Sequence, residues 1–78
     1  MTDYHAKALE LAAQGDWDAA HRLIQQHSDP LACLIHGYLH RVEGDQWNAR
    51  YWYRNAREEM PANTLDEEWR RLMGMCGE

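Results

Sequence analysis

Leu31–Met60 reads LACLIHGYLHRVEGDQWNARYWYRNAREEM, and this stretch decides the fold. Leu31, Leu34, Ile35, Tyr38, Leu39 and Val42 recur at helical intervals, so Pro30–Glu43 reads as a helix with an apolar stripe. Gly44 supplies a left-handed stop, and Asp45 is an N-cap for the helix that follows. On that helix Ala49, Tyr53, Ala56 and Met60 share one face, and Met60-Pro61 sets its expected end near Glu59. The stretch is helix, corner, helix.

The same grammar extends outward in both directions. Asp29-Pro30 is a restart signal, a capping carboxylate followed by proline at the first helical position. Before it, Thr2 and Asp3 offer an N-cap for a helix over 4–14, Gly15 stops that helix, and Asp16 caps another from Trp17 to about His27. Beyond Pro61, Thr64 and Glu67 form a capping box, with Leu65, Trp69, Leu72 and Met73 striping a fifth helix; residues 74–78 are expected to fray. No segment alternates apolar and polar residues as a half-buried strand does. The expected class is all-α with five helices.

Composition narrows the function classes. The chain has 78 residues, two cysteines and a formal charge of −5, with four Trp, four Tyr and no Phe. That length makes one domain with little core to spare. The large rings must fill much of that core, each needing a partner for its N–H or O–H. The negative charge disfavours nucleic acid and anionic membranes as partners of the whole surface. Two cysteines are too few for a disulfide framework, and neither a charged-then-apolar leader over residues 1–11 nor a run of membrane length is present. The expectation is a reduced, cytoplasmic protein.

An internal repeat sharpens the fold. Gly15-Asp16 recurs as Gly44-Asp45 and Ala20 as Ala49, both at an offset of 29 residues, which also carries Ala8 onto Gly37 and Ile24 onto Tyr53. Each unit is helix, Gly-Asp corner, helix, with a small residue on each helix where the two approach. On these residues the chain resembles the tetratricopeptide-repeat family: Tyr4, Ala8, Leu11, Trp17, Ala20 and Ile24 fit the motif in the first unit, and Gly37, Gly44, Ala49, Tyr53, Ala56 and Pro61 fit it in the second. It departs from that pattern at His27, Cys33, His36 and His40, and its offset is shorter than the family's repeat of about 34 residues. Segments such as LHRVEGD at 39–45 and ARYWYR at 49–54 also look like parts of small bacterial proteins. The resemblance implies two antiparallel helical hairpins over about 2–29 and 30–61, with a capping helix over about 64–75 closing the open side, or a homodimer doing so.

Three groups of residues could carry a function. By the resemblance, the first helices of each unit line a concave face carrying His5, Leu9, Ala12, Leu34, Tyr38 and Arg41, and an exposed patch there would take a protein or peptide partner through Leu9, Leu34, Tyr38 and Arg41. A fifth helix folded over that face would instead make it core.

Cys33, His36, His40 and Glu43 stack on one side of the third helix. His36 and His40, four apart, have the separation at which two imidazoles bind one metal ion, with any third ligand to come from His5, His21, His27 or Glu43. The alternative is a pair of packed histidines in a helix buried on both sides.

Arg50, Arg54 and Arg57, interleaved with Trp47, Tyr51 and Trp52, could stack bases or clamp an anion, or form a solvated face bearing ion pairs. No paired acids, phosphate loop or nucleotide fingerprint supports catalysis, Ser28 is the only serine, and no cofactor is implied. The reading favours a non-catalytic protein-interaction module, with a protein, a peptide or a second copy as partner.

Overall fold

The computed structural model describes residues 3–76. It contains α1 (Tyr4–Ala13), α2 (Trp17–Ile24), α3 (Pro30–Val42), α4 (Gln46–Asn55) and α5 (Leu65–Cys76), with no strand among the described residues. The all-α, five-helix expectation holds.

Each start is set by a side chain. Asp3, Asp16, Asp29 and Asp45 accept backbone N–H groups from His5, Ala19, Ala32 and Asn48. Thr64 and Glu67 satisfy each other's backbone N–H groups ahead of α5, as a capping box does. Thr2, the other candidate cap, lies outside the described residues.

Three of the helix ends share one geometry. At Gly15 and Gly44, φ is +84° and +88°, and the next residue's N–H reaches back to Leu11 and His40 respectively. Arg57 makes the same turn at φ +64°, with Arg57 N–H donating to Arg54 and Glu58 N–H to Tyr53. α4 therefore ends at Asn55, short of the expected Glu59, because the left-handed turn is made by an arginine that a search for glycine passes over. α2 likewise ends at Ile24 instead of His27, while residues 74–76, expected to fray, complete α5.

α1 packs along α2 and α3 along α4, each pair folding back across its Gly-Asp corner. α5 lies against α1 and α3, and α2 also touches α3. α3 is thus the hub, with every residue from Ala32 to His40 buried. The core is built from Ala8, Leu9, Ala20, Ile24, Leu34, Ile35, Leu39, Tyr53 and Leu72.

Four of the eight large rings find hydrogen-bond partners. Trp17 Nε1–H donates to the Leu39 carbonyl at 2.7 Å, Trp69 Nε1–H to the Leu9 carbonyl at 2.8 Å, and the Tyr4 and Tyr53 hydroxyls to Asp29 and Glu68.

Candidate functional site

The concave face offered by the first helices is closed. Leu9 is fully buried, Leu34 is 2% exposed and Tyr38 7%. Trp69 of α5 bonds the Leu9 carbonyl across this face, and Arg41 donates to Asn63 Oδ1 at 2.9 Å and to the Asn63 carbonyl at 2.6 Å, fastening the segment that leads into α5. Leu9, Leu34 and Tyr38 are core because α5 seats on them, and a chain of this size must bury its longest apolar stripe to hold a core. What remains open is a cleft of about 410 Å³ at the edge, lined by Ala13, Tyr38, Leu65, Asp66 and Trp69.

The seal rests on a buried carboxylate. Glu68 is fully buried and accepts from Tyr53 Oη at 2.7 Å, Asn63 Nδ2 at 2.9 Å, Arg71 Nε at 2.8 Å and Arg71 Nη2 at 2.9 Å. Burial raises its pKa, but the bonds from Arg71, Asn63 and Tyr53 outweigh it and hold the carboxyl at about 2. The same network pushes Tyr53 up, first through burial and then through the bond to Glu68. With every acceptor position engaged, Glu68 is a structural anchor and not a free acid. A charged residue set among Leu65, Trp69 and Leu72 was the sequence's signal for it.

On the other side of α3 three imidazoles converge. His36 and His40, 4% and 7% exposed, meet the half-buried His21 from α2, and His36 Nε2 lies 3.1 Å from His21 Nε2. His40 Nδ1 lies 2.8 Å from Glu43 Oε2. Indoles bracket the group: Trp17 stacks on His21 with ring centres 4.7 Å apart, and Trp52 stacks on His36 at 3.9 Å. Burial, reinforced by His21 and His40, pushes His36 down to about 4, and burial next to His40 also lowers His21. His36 is therefore a neutral base at pH 7.

The remaining sequence candidates lie elsewhere. His5 sits between Asp3 and Asp29, with Nε2 2.7 Å from Asp29 Oδ2, and His27 stacks on Tyr4 at 3.5 Å. Cys33 points its Sγ at the Ser28 carbonyl, and burial pushes its thiol up. Both thiols are free. Of the four possible third partners for His36 and His40, the structure brings His21 to His36 and Glu43 to His40.

The third group is the outer face of α4. Trp47, Arg50, Tyr51 and Arg54 stand at i, i+3, i+4 and i+7 and line a cleft of about 250 Å³. Trp47 is 76% exposed and Tyr51 52%. Arg50, Arg54 and Arg57 are exposed, and among the described residues none of them forms an ion pair; the pairs involve Arg70 and Arg71. The neighbouring acids Glu43 and Asp45 are engaged by His40 and Asn48. No helix of the described residues is long and apolar enough to cross a membrane. Comparison of the chain with protein-family models, curated proteins and solved structures finds no match.

Proposed function

We propose that the chain is a small non-catalytic protein-interaction module, built as a tetratricopeptide-like pair of hairpins with a cap, that binds an acidic protein segment on the outer face of α4. The observation that carries this reading is Trp47, a large ring three-quarters exposed and flanked on its own helical face by Arg50, Tyr51 and Arg54. Tryptophan, tyrosine and arginine are the residue types that dominate binding energy in protein interfaces. Two arginines without an ion-pair partner, on a chain of net charge −5, make a local basic spot that selects an acidic partner. This moves the contact surface from the expected Leu9, Leu34, Tyr38 and Arg41 face, which α5 covers, to a face that nothing in the fold covers.

The test is affinity capture with the wild-type chain beside Trp47→Ala and an Arg50→Glu/Arg54→Glu variant, all matched for thermal stability. A partner rebuilt from purified components should bind wild type and lose about 30-fold or more in affinity to Trp47→Ala. The charge-reversed variant should lose the salt dependence. Binding indifferent to all three substitutions defeats the proposal. Salt-sensitive capture of RNA in place of protein would turn the same face into the nucleic-acid reading.

A further inference from the structure

We propose that His21, His36 and His40 bind a single divalent transition-metal ion of the zinc class, which ties α2 to α3. This site is independent of the α4 face. The three residues come from two helices and each offers a nitrogen, all within 4.8 Å of one another. Around a tetrahedral ion with bonds of about 2.0–2.1 Å, donor nitrogens stand about 3.3 Å apart. The His21–His36 pair, at 3.1 Å, already has that separation. Seating the ion asks the His21 and His36 rings to turn from each other toward a shared point and the His40 nitrogen, within 4.8 Å, to move inward.

The chemistry of the donors selects the ion. All three are imidazoles, which suit zinc, copper and nickel, and no carboxylate oxygen of the kind magnesium or calcium requires belongs to the set. Cys33, on the same helix, is turned away to the Ser28 carbonyl. The second group of possible ligands, His40 with Glu43 and Asp45, is a weaker candidate because Asp45 is already committed to capping Asn48.

Glu43 gives the site its orienting residue. Its carboxylate accepts from His40 Nδ1–H, which leaves the lone pair on Nε2 and raises the basicity of the ring, the role carboxylates play behind metal-bound histidines. Beyond Glu43, the carboxylate of Asp45 faces His40 and that of Asp18 acts on His21, while the indoles of Trp17 and Trp52 confine the rings without competing for their lone pairs. His36 is neutral at pH 7, so no proton has to leave it before it ligates. One of His21 and His36 carries the Nε2–H that joins them. On binding, the ion takes the place of that hydrogen, and the displaced proton moves to Nδ1 of the same neutral ring, which changes tautomer. The proton count is unchanged.

The experiment titrates the metal-free full chain with Zn²⁺ and with Co²⁺. One equivalent of Co²⁺ should produce the visible d–d absorption of a tetrahedral ion, and Zn²⁺ should abolish it. Free Zn²⁺ at about 100 times its Kd should shift the folding equilibrium about 100-fold toward the native state and raise Tm accordingly. His21→Ala and His40→Ala should lose both signals, His27→Ala should keep them, and Glu43→Gln should bind about 10–100-fold more weakly. Should an alanine variant not fold, His21→Gln supplies the same test with a similar side-chain volume. Absence of saturable binding at one equivalent overturns the proposal. So does binding that survives His21→Ala and His40→Ala but is lost in His5→Ala, which would place the ion at the surface group of Asp3, His5 and Asp29.

Discussion

Ala8 and Ile24 hold in the first hairpin the positions that Gly37 and Tyr53 hold in the second, and all four residues are buried. The exchange is a compensated one. A Cβ on Gly37 would lie 2.7 Å from Tyr53 Cδ2 and 2.8 Å from Cε2, so the ring occupies the space that the methyl group of Ala8 fills in the first unit. The larger ring also does something isoleucine cannot: its hydroxyl crosses to Glu68 and locks the second hairpin to α5. Repeated backbones with the same corner thus carry different duties. The first hairpin meets the cap through the Leu9 carbonyl and supplies His21 to the imidazole cluster, while the second holds the buried carboxylate. The two hairpins therefore differ in how they meet α5, the first through a backbone carbonyl and the second through the Tyr53 hydroxyl.

The largest test of that asymmetry removes the anchor. Glu68→Ala leaves Arg71, Asn63 and Tyr53 without their shared acceptor and should destabilise the fold by about 3–5 kcal/mol in urea melts. Ile24→Val, at the position equivalent to Tyr53 in the first hairpin, should cost only about 0.5–1.5 kcal/mol. Equal losses would mean that the two hairpins contribute alike.

Acid should separate the two polar clusters. His36, held at about 4 against an ordinary 6.5, contributes stability that is complete above pH 6.5 and lost as pH falls toward 4. Glu68, held at about 2 against 4.5, contributes stability that is complete above pH 4.5 and lost as pH falls toward 2. Each limb is on the order of 3 kcal/mol. A His36→Phe variant should flatten the upper limb of a stability-versus-pH curve and leave the lower one in place.

Gly37→Ala tests the exchanged ring directly. The added methyl must push Tyr53 or the Ala49 carbonyl, 3.1 Å away, and should cost about 1–3 kcal/mol despite alanine's better helix propensity. Ala8→Gly, its counterpart, should cost about 1–2 kcal/mol, from chain entropy together with the loss of a fully buried methyl group.

The smallest expected effect concerns the corners. Arg57 makes with a side chain the left-handed turn that Gly15 and Gly44 make without one. Arg57→Gly should therefore stabilise the chain by about 1 kcal/mol, and Gly15→Ala or Gly44→Ala should destabilise it by about as much, read as shifts of Tm.

The helices and corners were legible in the chain because their causes are local: a capping aspartate, a stopping glycine and an apolar period each act within a few residues. The exceptions are informative. Arg57 hid the end of α4, since a non-glycine in a left-handed turn is held there by surrounding structure and not by its own preference. The candidate sites were legible only as lists. Stacking of His36 and His40 on one side of α3 was visible from spacing alone, but His21 could not be told from His5 or His27 until α2 was laid beside α3. Leu9, Leu34 and Tyr38 read as an apolar face, and whether water or α5 covered that face is a question periodicity does not address.

By itself, the sequence determined five helices, their caps and the paired Gly-Asp corners, because short-range hydrogen bonds and steric limits on φ and ψ decide those. Tertiary structure alone decided which face was sealed, which histidine joined the pair on α3, and that Glu68 would be an anchor held by Tyr53, Asn63 and Arg71. The deciding contacts, Trp69 with Leu9, His21 with His36 and Tyr53 with Glu68, join residues far apart in the chain, where competition for limited apolar surface settles what is buried and leaves Trp47 in water.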